Sequence, residues 1–356
     1  MKFYLILIIL ISQELYGDIK VVWKNSFSNT FSTSAIAVTL TGLYVGTGED
    51  GLVCLSATGA KQWNYSSVKE PIETAPLVLG DNIVFGSKNG NLYCINLKGK
   101  QKWVFNAVSD IDSSPASDGK VVVFGTKNGE IYCIDLASGD KKWVFITKGK
   151  ISAAPLIVID AAYCGSSDNN MYRINLEDGK QIWSFASGKP IYTTPLILNE
   201  FIFFGSDDYI FYALDAWSGQ LKWKFQADSY LQSSPVTDGK LIYFGSYKGK
   251  VFALEPATGN KKWEYQGNGW IKGSPVLTNS SLVIGTYGGD LLQISPQDGK
   301  LIESFKIGEP LQGSPVALGD DVFLITDTGN VMCINIPGLS ASWQMFRKDA
   351  TRSGTL

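Results

Sequence analysis

Tryptophan returns every 40 residues along this chain, at Trp23, Trp63, Trp103, Trp143, Trp183, Trp223 and Trp263, and again at Trp343. Only the slot at Glu303 is vacant. A period of this length means one supersecondary unit copied many times, each copy burying its apolar faces against its neighbours. Any fold for the chain has to make the same contact once per copy.

The copy from Leu231 to Tyr265 shows the unit most clearly: LQSSPVTDGKLIYFGSYKGKVFALEPATGNKKWEY. It divides into four strand-length pieces. The first carries Ser233-Ser234-Pro235-Val236 and stops at Thr237-Asp238-Gly239. The second is Lys240 to Gly245, the third Val251 to Leu254, and the fourth Lys261 to Tyr265 with Trp263. Short β-forming runs divided by Gly-bearing turns read as antiparallel meanders. The turn between the second and third pieces is Asn89-Gly90 and Asn128-Gly129 in two copies, which predicts a type I′ hairpin with both central residues at positive φ. Asp208-Tyr209 fills the same slot in the fifth copy, and a bulky residue there predicts an altered hairpin.

Other columns repeat with the tryptophans. A glycine recurs at Gly46, Gly86, Gly125, Gly165, Gly205, Gly245 and Gly285, with Ile325 as the eighth. A proline recurs from Pro76 to Pro315, with Ala35 standing in for it in the first copy. Eight four-stranded meanders without helical periodicity give an all-β, eight-bladed β-propeller. The N-terminal strand Ile19 to Phe27 has the Trp-bearing sequence but no unit before it. It is expected to close the ring as the outer strand of blade 8, leaving Trp343-Gln344-Met345-Phe346 to pack as a separate plug. The expected layout is a signal peptide over 1–17, one propeller over 18–346 and a tail over 347–356, with the propeller a monomer.

Residues 1–17 stand apart. Lys2 precedes an unbroken apolar run, Phe3 to Ile11, and Leu15-Tyr16-Gly17 offers a small residue for cleavage. Nine apolar residues are too few to span a bilayer, so the segment reads as a cleaved signal peptide that leaves no membrane span, with an uncleaved apolar anchor as the alternative. The mature chain would then be periplasmic or secreted. Net charge is −2, which gives no field to gather nucleic acid. Of the five cysteines, Cys54, Cys94, Cys133 and Cys333 share one repeat position that holds Ala213 and Ala253 elsewhere. A slot taken by Ala or Cys is a small core slot, so neither disulfides nor a metal are expected there.

The run Ala253-x-x-x-x-Thr258-Gly259-x-x-x-Trp263, preceded by Gly245-Ser246-x-x-Gly249, resembles the repeat of PQQ-type (pyrroloquinoline quinone) β-propellers. Ala213 to Trp223 and Cys133 to Trp143 follow the same pattern, and the resemblance covers about residues 20 to 346. It implies that each Trp stacks on the motif Gly of the next blade, Trp63 on Gly99 and Trp103 on Gly139. Glu303 and Leu339 depart from the pattern on both sides of one such contact, which predicts a weaker or differently packed seam between blades 7 and 8. Two functions share this repeat. Quinoprotein dehydrogenases hold PQQ and Ca²⁺ over the propeller axis, in longer chains that often carry adjacent cysteines, which this chain lacks. The non-catalytic BamB-type branch binds partner proteins, and its length and bare blades resemble this chain's, although the lipid-anchor cysteine is missing.

Chemistry is sparse. The chain has no histidine, which removes Ser-His-Asp and Cys-His nucleophiles and imidazole metal sites. One column does vary sharply in charge and size: the residue three before each repeat proline, namely Ser32, Glu73, Asp112, Ser152, Tyr192, Gln232, Lys272 and Gln312. In a propeller the first strand of each blade lines the channel, so these side chains are expected to ring its mouth, either as a solvated rim or as a binding site. Glu73 and Asp112 sit on adjacent blades, a pair suited to sharing Ca²⁺. Trp217, Tyr230 and Trp270 in connecting loops are candidates for partner contact. The reading is an exported, non-enzymatic interaction scaffold of the cell envelope with a protein partner and no cofactor. The alternative is a PQQ-dependent oxidoreductase with PQQ and Ca²⁺ at the channel mouth.

Overall fold

The computed structural model describes residues 18–27 and 36–344, and among these every regular element is a β-strand. Seven four-stranded antiparallel sheets follow in chain order, from Ala37–Thr39, Gly42–Gly46, Leu52–Leu55 and Lys61–Tyr65 in blade 1 to Val276–Leu277, Leu282–Gly285, Asp290–Ile294 and Leu301–Lys306 in blade 7. The eighth sheet takes Val316–Gly319, Asp321–Ile325 and Asn330–Asn335 from the C-terminal end and Lys20–Ser26 from the N-terminal end. The result is an eight-bladed propeller whose ring is closed by its first strand.

Register shows why that strand fits. Trp23 lies opposite Cys333, as Trp63 lies opposite Cys54, Trp143 opposite Cys133 and Trp263 opposite Ala253. Trp343 does a different job. Ala341–Gln344 adds a fifth strand to blade 8 along the edge of Val316–Gly319 that faces away from Asp321–Ile325, with Ala341 opposite Gly319 and Gln344 opposite Ala317. A separate plug is therefore corrected to edge pairing, which satisfies backbone groups that an unpaired strand edge leaves exposed. Residues 345–356, like 1–17, lie outside the described residues.

Three recurrent contacts join the blades, and each explains a repeat column. First, the ring of each Trp lies on a left-handed glycine of the next blade: a Cβ built on Gly139 would stand 2.8 Å from Trp103, and one on Gly299 2.6 Å from Trp263. The indole N–H then donates to a carbonyl 33 residues on, as from Trp143 to Leu176 O at 2.8 Å and from Trp263 to Pro296 O at 3.0 Å. Second, the repeat glycine makes room for the next blade's aliphatic residue. A Cβ on Gly125 would come within 2.1 Å of Ile151 Cγ2, and one on Gly245 within 2.2 Å of Ile271 Cγ2.

The third contact is made by Ser and Thr hydroxyls at the two positions before the repeat prolines. The first hydroxyl serves its own blade, with Ser113 Oγ accepting from Gly125 N–H at 2.6 Å and Ser233 Oγ from Gly245 N–H at 3.1 Å. The second reaches the previous blade: Ser234 Oγ accepts from Thr194 N–H at 3.0 Å, Ser274 Oγ from Ser234 N–H at 2.9 Å, and Ser314 Oγ from Ser274 N–H at 2.9 Å. Because these side chains carry the bonding, the inner strand proper shrinks to Val236–Thr237 in blade 6. Ala154 interrupts this collar in blade 4, as Ala75 does in blade 2.

The turns between second and third strands correct the type I′ expectation. Only the last turn residue is left-handed, at Gly90 (φ 77), Asn169 (φ 75) and Tyr209 (φ 71). Gly90 N–H donates to Ser87 O at 3.1 Å, and Tyr209 N–H to Ser206 O at 3.2 Å. This is a type I turn followed by one left-handed residue, so a single position needs positive φ. The fifth hairpin keeps this shape despite Tyr209, at a strain of about 1–3 kcal/mol.

All five cysteines are free and buried. The column shared by Cys54, Cys94, Cys133 and Cys333 has one charged exception, Arg173 in blade 4, which is buried opposite Trp183. Arg173 donates to Trp217 O at 2.8 Å, meets Asp160 at 3.3 Å and lies over the Trp217 ring at 5.0 Å. The seam between blades 7 and 8 is differently packed, as its paired departures predict. Glu303 is exposed, while Leu339 is fully buried in a cluster with Val276, Val283 and Leu291 of blade 7. Asn279 and Ser280 of blade 7 bond the carbonyls of Ser340 and Leu339 at 2.6 and 3.4 Å. An aliphatic wedge thus stands where the other seams use indole on glycine.

Candidate functional site at the axial channel

The variable column converges. Glu73, Asp112, Ser152, Tyr192, Gln232, Lys272 and Gln312 all line one cavity of about 600 Å³, together with the collar hydroxyls of Ser114, Thr194, Ser234, Ser274 and Ser314. Ser32 lies outside the described residues. Blades 2 to 8 each deliver the side chain from the residue just ahead of the two collar positions, which is why one column lines one cavity.

Lys150 and Asp207 join this lining from neighbouring columns. Lys150 sits two residues before Ser152, and Asp207 two after the repeat Gly205. Sequence reasoning missed both, although the slot two after the repeat glycine varies as sharply as the chosen one: Lys88, Lys127, Ser167, Asp207, Tyr247, Tyr287 and Asp327.

The charges are largely spent on one another. Lys88 Nζ lies 2.9 Å from Glu73 and 2.5 Å from Asp112, and Lys150 Nζ reaches the other oxygen of Asp112 at 2.6 Å. The ammonium of Lys88 therefore stands where the carboxylate pair was expected to share Ca²⁺. Burial opposes the charge on Asp112, but its bonds to Lys150 and Lys88 prevail and hold its carboxyl below the ordinary range. Lys88 is likewise held above its ordinary value by Asp112 and Glu73, against the pull of burial.

The far side of the ring is organised by amides. Gln232 donates to both oxygens of Asp207, at 3.2 and 3.1 Å, and accepts from Tyr247 OH at 2.8 Å. Burial raises the Asp207 carboxyl, with the Gln232 bond opposing. Burial also raises the Tyr192 phenol, helped by the nearby Asp207 charge. Gln312 takes Lys272 Nζ at 3.3 Å on its oxygen and donates to Asp327 from its nitrogen. Burial lowers Lys272, with Asp327 opposing and Lys150 adding to the effect. Such a lining can hold a polar guest. Among its described residues it presents no nucleophile activated by a base.

A family model described as outer membrane protein assembly factor BamB matches residues 18–144, 94–198 and 159–269. The chain belongs to the BamB family. Two solved structures share its fold. BamB from Moraxella catarrhalis superposes with a TM-score of 0.74 at 20% identity, covering 90% of this chain and 98% of that one. The computationally designed Ika8 protein gives 0.79 at 16% identity, covering 87% and 98%. No curated protein sequence matches the chain.

In this BamB-family propeller the three loop aromatics fall on two faces. Trp217, 39% exposed, occupies a third-to-fourth-strand turn and is held there by Arg173. Tyr230 and Trp270, 39% and 52% exposed, lie on the opposite face in loops that enter blades 6 and 7. There they belong to a continuous row: Tyr209–Tyr230 at 5.0 Å, Tyr230–Tyr247 at 5.9 Å, Tyr247–Trp270 at 5.6 Å and Trp270–Tyr287 at 4.8 Å. The hydrogen bond from Tyr247 to Gln232 ties this row to the channel ring.

Proposed function

We propose that the protein is exported to the cell envelope and acts there as a non-catalytic scaffold that holds a partner protein. The observation that carries this reading is the match of the outer membrane assembly factor model over 18–269. The apolar run Phe3 to Ile11 behind Lys2 supports export. No helix among the described residues is long and apolar enough to cross a membrane.

The channel chemistry favours the scaffold over the quinoprotein alternative. A Ca²⁺ ion needs several carboxylate or carbonyl oxygens turned toward it. Here Lys88 stands between Glu73 and Asp112, and a second lysine takes the remaining oxygen of Asp112. That donor set does not fit a calcium–quinone pair. The test is to fractionate cells and then titrate the purified protein with PQQ and Ca²⁺. The scaffold reading expects the chain in the envelope fraction, no cofactor-shifted absorption and no dye-linked oxidation of alcohols or sugars. A shifted spectrum with turnover would replace it by the oxidoreductase.

A further inference from the structure

The aromatic row on blades 5 to 7 is built, not incidental. Tyr230 and Trp270 are fixed to the turns beside them by backbone bonds, Tyr247 N–H to Tyr230 O at 3.1 Å and Tyr287 N–H to Trp270 O at 2.8 Å. These bonds set each loop aromatic against a turn aromatic, so the rings are ordered before anything binds. Tyr209 extends the row at the one turn position that favours glycine, with φ 71. Trp270, Tyr230 and Tyr287 remain 52%, 39% and 38% exposed, a concentration of apolar surface of the kind that marks binding faces.

Charge and ring geometry narrow the occupant. In the same loops, Asp207 is engaged by Gln232, and Asp208 accepts from Tyr212 OH at 2.6 Å and Gly188 N–H at 2.7 Å. Asp228 is half-buried. The exposed charges left are Lys189 and Lys248, and neither forms an ion pair with a described residue. Lys189 lies over the rings of Tyr209 and Tyr230 at 6.0 and 5.9 Å. The charges that solvent reaches on this face are therefore positive, with the carboxylates of Asp207, Asp208 and Asp228 half-buried behind them. Tyr247, Trp270 and Tyr287 stack on one another at interplanar angles of 20° and 17°, which engages their ring faces within the row. A sugar platform needs free ring faces, whereas edges and phenol groups suit the side chains of a protein.

We propose that this row is the docking surface for an acidic protein segment that seats aliphatic or aromatic side chains against Tyr230, Trp270 and Tyr287, with its carboxylates on Lys189 and Lys248. The inference rests on the scaffold reading and gives it a surface and a partner chemistry.

The test is site-specific photo-crosslinking of the full chain in its own cells, with the reactive amino acid at position 287 and, separately, at position 217 on the opposite face. The crosslinked segment is sequenced. Position 287 is expected to capture a protein segment of net negative charge bearing apolar anchors. Yield should fall at least 10-fold in Trp270→Ala and in the Lys189→Glu, Lys248→Glu double variant, with the melting temperature held. A glycan, a basic segment, or yields unmoved by these variants overturns the proposal. Capture from position 217 but not from 287 also overturns it while leaving the scaffold standing. Failure at both positions, with PQQ bound, ends both readings.

Discussion

Lys24 and Glu309 lie 285 positions apart in the sequence, and their side chains meet at 2.6 Å across the closure of the ring. Glu309 also accepts from Thr326 Oγ1 at 2.6 Å, from Asn330 Nδ2 at 2.6 Å and from Thr328. One carboxylate thus clamps the N-terminal strand to the last blade. Burial opposes its charge, but Lys24 and the three polar donors hold it down to about 2, from an ordinary 4.5.

The clamp makes closure acid-sensitive. A carboxyl depressed on folding contributes stability that is complete above its unfolded value and is lost as pH falls toward its folded value. The window here runs from 4.5 down to about 2. Glu309→Gln should cost about 1–2 kcal/mol at pH 7, less than the full depression implies because Lys24 is open to screening solvent. Denaturant unfolding at pH 7 and pH 3 checks this: the deficit of the variant should shrink at the lower pH.

The seams should answer differently to truncation. Trp263→Ala removes a buried indole from Gly299 and should cost about 3–5 kcal/mol. Glu303→Ala, at the matching slot one blade on, should stay within about 0.5 kcal/mol because the side chain is exposed. Leu339→Ala should cost about 2–5 kcal/mol, since the leucine now fills that seam. Midpoints of chemical denaturation rank the three.

How much of this was legible turns on what each column encodes. Trp23 could be assigned to the closing strand because its spacing to the next blade is a covalent property of the repeat. The ring from Glu73 to Gln312 could be found because one slot varies while its flanks do not. Lys88 was missed as the partner of Glu73 and Asp112 because it comes from a turn, and sequence spacing does not show which turn leans over the axis. Tyr209 misled for a related reason. Its hairpin was read as needing two left-handed residues, whereas the longer type I turn needs one, and Tyr209 supplies it. The hydroxyl residues before most of the prolines were visible as a motif, but their bonds to the previous blade exist only in the closed ring.

The collar offers a stabilising substitution. Ala154 stands where Ser234, Ser274 and Ser314 accept a backbone N–H from the preceding blade. Ala154→Ser should supply the missing acceptor to blade 3 and add about 0.5–1.5 kcal/mol. A raised midpoint in thermal unfolding is the expected result.

The lysine bridge predicts a gain of metal binding. In a Lys88→Met, Lys150→Met double variant the carboxylates of Glu73 and Asp112 lose both ammonium groups that engage them. Millimolar Ca²⁺ should then raise the melting temperature of the variant and leave that of the parent unmoved, a contrast read directly by differential scanning fluorimetry.

The central claim is that this ring holds a protein and not a quinone. Native mass spectrometry of the tagged chain, purified gently from envelope after mild crosslinking, tests it most directly. The account predicts a complex containing a second polypeptide, with no quinone mass released on denaturation. Recovery of the chain alone, carrying PQQ and calcium, would contradict it.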